Sequence, residues 1–436
     1  MLFIRNVHVV SMRNRTVDYH QSVIIQDGII KAIGKSLPTP PEPCQILDGG
    51  LQYLMPGIIN MHIHLGDNPD DLALYLANGI TTVRNMWGHE HFNPLQWMFG
   101  TRLFNHLQLK RKTYIGDILG PDIYTCGPML DGAKPFFPKF MGVEALDTSE
   151  RTRKVIQQQV DQGYDFLKIY SKLSRPTFDW IMEEAQRCGI PVCGHVPDEV
   201  GLEHALNSKI CSVEHLYGFV NPYDQSKNLD EEMVKRMAAL SASKGVWNCP
   251  TLVANERLGT IAHQQEYEQE PQIAYVSAKN LNGMRFLMRE AHKVFEKSGG
   301  INHDAYMERL FHIVRVLKEE GAGILLGTDK AVPYVVAGFS EHHEMELLAE
   351  AGLDTYEILV AATIHAAKCL GIDAEIGTVE IGKRANLVLT QKNPLEDITT
   401  IATHAGVVKA GKWFSREACD SMLAKVERSI SRGKNS

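Results

Sequence analysis

Eight short β-rich runs recur between Gly57 and Asp329: "GIINMHIH", "ITTVRNM", "DIYTCGP", "DFLKIY", "PVCGHV", "CSVEHL", "GVWNCPTLV" and "GILLGTD". Helical periodicity fills segments between them. "FDWIMEEAQRCG" puts Phe178, Ile181, Met182 and Ala185 on one face and stops at Gly189. "LDEEMVKRMAALSASKG" and "AYMERLFHIVRVLKEEG" behave alike. Strands separated by helices do not pair as tight hairpins, so the pattern favours a parallel sheet. Eight repeats are the number that closes a barrel. The expected fold class is α/β, with a (β/α)8 TIM barrel over residues 57–371.

The flanks read differently. In residues 1–56, "LFIRNVHVVS", "QSVIIQDGIIKAIG" and "CQILDGGLQYLMPG" carry β-branched residues and are cut by Asp27-Gly28 and Gly49-Gly50. "PTPPEP" is a polyproline-like loop. Strand character returns in "IGTVEIGKRANLVLT". Neither set has another partner, and unpaired strand edges are costly. Residues 1–56 and 372–436 are therefore expected to form one small β-sandwich domain beside the barrel, with a terminal helix. "SEHHEMELLAEAG" and "DTYEILVAATIHAAKCLG" read as two closing helices, the second with Asp354 and Glu357 as a capping box and Gly371 as its stop. Residues 87–120 and 254–322 exceed minimal connections and are expected over the barrel mouth or its rim.

Composition narrows the function. Hydrophobic residues make up 44% and charged residues 22% of the 436, ordinary for a globular protein. The net charge is −7 without a long basic run, which speaks against nucleic-acid binding. No apolar stretch approaches the roughly 18–20 residues of a membrane span. "MLFIRNVHVVSMRNRTVDY" reads as a strand rather than a cleaved leader, so a cytoplasmic location without membrane attachment is expected. The eight cysteines include no Cys-x-x-Cys pair and read as reduced, mostly buried apolar residues.

His62 and His64 lie two apart in the first run and so share one strand face. Two imidazoles on one face can bind one metal ion. His89 and His91, in "WGHEHFNP", repeat the spacing in a polar, Pro-bounded loop and are expected to be solvated. His195, His215 and Asp329 each close an apolar β run, where a barrel collects its active-site residues. Taken singly, each reads equally as a satisfied buried histidine or a capping aspartate. Lys168 sits inside the fourth run, between Leu167 and Ile169. A desolvated lysine has a lowered pKa and can act as an amine. Such an amine can add carbon dioxide to become a carbamate, an anionic ligand able to bridge two cations. The plain alternative is a strand-end lysine reaching water.

With their neighbours, these motifs resemble the amidohydrolase superfamily, in the branch of imidazolonepropionase-like and Xaa-Pro dipeptidase (prolidase)-like enzymes. "LMPGIINMHIHLG", "NGITTVRNM", "YDFLKIYSK", "VCGHV", "VEHL" and "LLGTD" are similar to its successive strand motifs. "HHEMELLAEAGLDTYEILVAATIHAAKCLGI" with "GTVEIGKRANLVL" resembles its closing helices and return strand, so the likeness spans nearly the whole chain. The resemblance implies two Zn2+ or other divalent cations. His62, His64 and Asp329 would bind the more buried one, and His195 and His215 the more exposed one. Lys168, as a carbamate built from carbon dioxide, would bridge them together with a hydroxide. Asp329 would be the catalytic group, taking the nucleophile's proton and passing it to the leaving amine. The family's imidazolonepropionases lack this lysine and use one metal, so Lys168 tilts the resemblance towards the two-metal form. Asn60 departs from the pattern, because an aspartate is common there.

The implied activity is metal-dependent hydrolysis of an amide C–N bond in a small molecule, a dipeptide or an N-acyl amino acid. A one-metal cyclic amidase or deaminase stays open, and so does a non-catalytic scaffold, although all six ligand positions are filled. Tyr170 and Tyr217 each lie two residues past a proposed ligand, placed either to hydrogen-bond substrate or to pack as aromatics. His343 opens the helix after the eighth run, and Arg84 lies near the end of the second. His343 either faces the site or only starts the helix. Arg84 either holds a substrate carboxylate or forms a structural ion pair. The family often assembles, which leaves a homo-oligomer open.

Overall fold

The computed structural model describes residues 1–66, 69–89, 105–221, 224–259, 261–297 and 302–433. The amino-terminal strands are β1 (Leu2–Val9), β2 (Asp18–Gln26), β3 (Ile29–Gly34) and β4 (Gln45–Pro56). Next come β5 (Ile58–Ile63), β6 (Ile80–Asn85), β7 (Asp122–Thr125), β8 (Met129–Gly132) and β9 (Val143–Leu146). They are followed by β10 (Leu167–Ile169), β11 (Val192–Gly194), β12 (Ser212–Glu214), β13 (Trp247–Cys249) and β14 (Gly323–Ile324). The last strands are β15 (Leu387–Thr390), β16 (Gly406–Lys409) and β17 (Lys412–Ser415).

The two chain ends meet in one seven-stranded sheet of order β17-β16-β15-β4-β1-β2-β3. β15 runs antiparallel to β4, with Leu387 opposite Pro56, while β1 and β4 are parallel. Leu2, Ile4, Val23, Ile25, Leu387 and Val408 share its core. Each such burial contributes roughly 1.5–3 kcal/mol before entropy is counted. Asp27 and Gly28, with φ of 52° and 76°, turn the chain between β2 and β3. Gly49-Gly50 does not cut a strand as the sequence suggested. β4 continues through it with a register shift against β1 between Arg5 and Val7. A Cβ on Gly49 would lie 2.1 Å from Val7 Cγ1, so this glycine lets two backbones approach at a bulge.

All eight runs give parallel strands, in two hydrogen-bonded sets: β5-β6-β7, and β14-β13-β12-β11-β10 extended by β8-β9. Backbone bonds span both gaps. Met61 N–H donates to the Leu326 carbonyl at 2.8 Å and Asp329 N–H to that of His62 at 2.7 Å. On the other side Asp165 N–H donates to the Thr125 carbonyl at 3.0 Å, beside a parallel Cys126–Phe166 bridge. The β8–β9 pair adds to the eight runs; four-residue strands among Gly and Pro give no readable period.

The helices follow their caps. Ser174 accepts the Thr177 N–H to start Arg175–Cys188, and Gly189 ends it at φ 68°. Asp230 and Gly245 do the same for Glu231–Lys244. The capping box of Asp354 and Glu357 is present, but the single long helix expected after it breaks into Thr355–Ala361 and Ile364–Cys369. The Ala362 carbonyl accepts the Ile59 N–H at 2.8 Å, so pairing with β5 takes a backbone acceptor at the break. Buried Asp122 on β7 joins the seven-stranded sheet to the parallel strands. It accepts from Lys409 Nζ at 2.6 Å and Asn386 Nδ2 at 2.9 Å, and pairs with Arg384 at 3.0 Å. No helix among the described residues is long and apolar enough to cross a membrane. All eight cysteines are free, five of them buried.

Candidate metal centre

His62 is the last residue but one of β5 and His64 follows the strand, and both face Asp329, which lies beyond β14. His64 Nε2 is 3.0 Å and His62 Nε2 3.6 Å from Asp329 Oδ1, and His215 Nε2 is 3.9 Å from Oδ2. The His215 ring lies 4.4 Å from that of His62 and 4.9 Å from that of His195. His64, Lys168, His195, His215 and Asp329 line one cavity of about 380 Å3, and His62 is fully buried against it. The structure thus brings the six predicted side chains to one place.

One ring nitrogen of each of three histidines is already committed. His62 Nδ1–H donates to Glu214 Oε2 at 2.6 Å. His195 Nδ1 is hydrogen bonded to Ser171 Oγ at 3.0 Å, and His215 Nδ1 to Thr251 Oγ1 at 2.6 Å. These bonds fix ring orientation and leave each Nε2 as the available ligand atom. His62 Nε2, His64 Nδ1 and Lys168 Nζ are buried without a hydrogen-bond partner.

Beneath them lies a charged relay. Arg84 donates to Glu214 Oε1 at 2.7 Å, to the Met61 carbonyl at 2.5 Å and to Ser212 Oγ at 3.0 Å. The Ser212 hydroxyl donates to Glu214. Strand alternation would turn Glu214 and His215 to opposite faces. His215 instead has φ 58° and Asp329 φ 53°. Left-handed backbone at such residues costs about 1 kcal/mol or more, and here it aims side chains inward. Glu214, Ser171 and Thr251 are the supporting residues that the sequence reading lacks. Adjacency to a proposed ligand is the only sequence signal for Glu214.

The electrostatics favour ligation. Burial, with the charge of Lys168, holds His62 and His195 well below the usual imidazole range, and burial brings His215 down to about 4, so all three are neutral near pH 7. Burial also lowers Lys168, against the opposing charges of Glu214 and Asp329. Burial alone would raise Asp329, but His215, His64 and His62 outweigh it and keep a carboxylate.

Several expectations need correction or relocation. Arg84 is 2% exposed and engaged by Glu214 under the site, so it takes the ion-pair role and not that of a substrate clamp. His343 pairs with Glu256 at 2.9 Å and does not line the cavity. Tyr170 and Tyr217 do line it, with rings 4.2 and 4.3 Å from that of His195. His89 is buried at 6% exposure against His106, not solvated; His91 lies outside the described residues.

Parallel strands that gather histidine, lysine and aspartate within or just past their last residues define a class, the enzyme scaffold of TIM-barrel type. Within that class the chain belongs to the amidohydrolase family, whose profile matches residues 53–414. Its homologues are hydrolases acting on C–N bonds, and members usually bind divalent metals. Ochratoxinase of Aspergillus niger is 22% identical over 90% of this chain and 82% of its own. Among solved structures, bottromycin amidohydrolase superposes with a TM-score of 0.77 at 26% identity, over 98% of this chain and 90% of that one. A Xaa-Pro dipeptidase with methionine in its active site gives 0.70 at 19% identity, over 95% and 99%.

Proposed function

We propose that this protein hydrolyses an amide C–N bond of a small molecule at a two-zinc centre. The observation that carries the reading is the pair of buried, unpartnered nitrogens, His62 Nε2 and Lys168 Nζ, set among three further histidines and Asp329. Leaving such groups without a partner costs free energy that a bound cation removes. His62, His64 and Asp329 would hold one ion, His195 and His215 the other, and Lys168, as a carbamate, both. When bound, divalent cations polarise a substrate carbonyl and lower the pKa of water.

The chain's own residues do the rest. Asp329, a largely buried carboxylate kept ionised by its histidines, accepts the nucleophile's proton and delivers it to the leaving nitrogen. His64 Nε2 lies 3.0 Å from its Oδ1, so the two present ligand atoms side by side. Glu214 holds His62 in one tautomer. The backbone bonds across both gaps support reading the parallel strands as one closed ring that keeps these side chains in register. The free cysteines agree with a cytoplasmic setting.

Chelated protein should lose activity and bound metal and regain both with zinc plus bicarbonate; full activity in the metal-free protein would refute the scheme. Lys168→Ala should retain one metal where the parent holds two, read by elemental mass spectrometry. The Lys168 peptide, analysed without acid, should carry about 44 Da of added carbon dioxide. A one-cation reading is the runner-up. It is favoured by the ligand atoms of His62, His64 and Asp329, which all lie within 4.8 Å of one another. One metal in the parent protein would select it.

A further inference from the structure

We propose that the substrate is a neutral amide flanked by apolar or aromatic groups, with no free carboxylate beside the bond to be cleaved; the inference rests on the hydrolytic reading above. The cavity wall carries it. An aromatic arc runs from one side of the ligand set to the other. The His64 ring lies 5.8 Å from Trp87, Trp87 5.2 Å from Phe137, and Phe137 5.4 Å from Tyr170. Tyr170 then meets His195 at 4.2 Å, and His195 stacks on Tyr217 at 4.3 Å. Leu258, Val332 and Pro333 also line the cavity, and Leu287 and Val294 line it while staying 49% and 46% exposed. Apolar surface left in water at a cavity mouth gains from an apolar guest.

The charges point the same way. Among the described lining residues, Lys168 is the single lysine or arginine, and it sits 1% exposed among the ligands. Arg84 and His343, the two side chains the sequence offered for carboxylate capture, are held by Glu214 and Glu256. Apart from Asp329 in the ligand set, the one carboxylate among the described lining residues is Glu290, on the helix Ala278–Lys297, paired to Lys293 at 2.6 Å. Beyond the metal ligands, a substrate carboxylate would therefore leave water for apolar walls and meet Glu290, with no other lysine or arginine among the described lining residues to receive it. Uncompensated burial of a charge is among the costliest events in binding. A flat uncharged group loses little hydration and gains the aromatic faces.

The test uses the full-length, zinc-loaded protein and a matched pair, N-benzoyl-2-phenylethylamine and N-benzoyl-phenylalanine, which differ by one carboxylate. Release of benzoate should give a kcat/KM at least about tenfold higher for the neutral amide. Equal or faster cleavage of the acid overturns the inference. A second readout needs no turnover. The uncharged fluorophore N-phenyl-1-naphthylamine should be displaced by the neutral amide at a concentration at least about tenfold lower than by the acid. Equal displacement by the acid overturns the inference as well. If neither compound is cleaved while the displacement order holds, the hydrolytic reading fails, the substrate assignment goes with it, and only the cavity's preference for an uncharged guest stands.

Discussion

Glu214 sits at 0% exposure with three hydrogen-bonded partners, the Arg84 guanidinium, the His62 imidazole and the Ser212 hydroxyl. Burial opposes its charge, yet Arg84 and His62 hold its pKa below the usual carboxylate range. Glu214→Gln would leave Arg84 buried without its counter-ion and weaken the bond that sets the His62 tautomer. Zinc affinity, measured by competition with a chelator, should fall about 10- to 100-fold. Stability to urea should fall by about 3–5 kcal/mol; an unchanged value on both counts would remove the relay from the site. None of this was legible from alternation, because the left-handed backbone at His215 breaks the period-two rule at that residue. The six proposed ligand positions were legible, the histidines and Asp329 because they end apolar runs and Lys168 because it lies inside one. Asn60 gives a second case. Its Nδ2 donates to Glu341 Oε1 at 2.5 Å and to Thr328 Oγ1 at 2.8 Å, and its Oδ1 accepts the His62 N–H at 3.0 Å. Burial pushes Glu341 up to about 7. Asn60→Asp would set two carboxylates in contact, tolerable while they share a proton. The variant should lie close to the parent in urea stability at pH 5.5 and lose ground by about 2 kcal/mol or more by pH 8.5; a gap independent of pH would show that Asn60 acts by shape alone.

Elements were legible where a cap or a period marks them, and illegible where tertiary hydrogen bonds decide. The caps at Ser174, Gly189, Asp230 and Gly245 end helices where the sequence places them. The break at Ala362–Thr363 answers to β5, which lies far away in sequence. The same holds for Asp122. Its run reads as an ordinary strand, yet its partners Arg384, Asn386 and Lys409 arrive from the other end of the chain. This cluster is the charged tie between the seven-stranded sheet and β7. Asp122→Ala would leave buried Lys409 and half-buried Arg384 without their shared carboxylate and cost about 3–5 kcal/mol, read as a lower urea midpoint. Loss of the tie should not move the candidate metal centre, so bound-metal stoichiometry should stay at the parent value. Replacing Asp122 and Lys409 together by Leu and Met should recover part of the loss, because a buried ion pair is often replaceable by apolar packing.

Across the whole molecule, connections between distant segments set the shape of the site and expose stability to pH. The segment between β13 and β14 supplies Asn255, Leu258, Leu287 and Tyr306 to the cavity, and its helix Leu252–Gly259 must be held against the helix Ser340–Glu350. His343 Nε2 donates to Glu256 at 2.9 Å and Nδ1 to Glu346 at 3.2 Å, which makes this imidazolium one of the clamps between those helices. Burial disfavours its cation, but the hydrogen bond and charge of Glu256, with the bond to Glu346, outweigh burial and push its pKa up to about 9. An unfolded histidine titrates near about 6.5. The folded form therefore binds the proton more tightly, and the contribution is fully present below about pH 6.5 and is lost as pH rises through about 9. The side chain is 30% exposed, so solvent screening reduces the benefit to about 1–2 kcal/mol. His343→Gln should accordingly be less stable than the parent by that amount at pH 6 and indistinguishable from it at pH 10, in paired urea titrations. A gap that stays constant, or widens with pH, would mean that the clamp works without its positive charge.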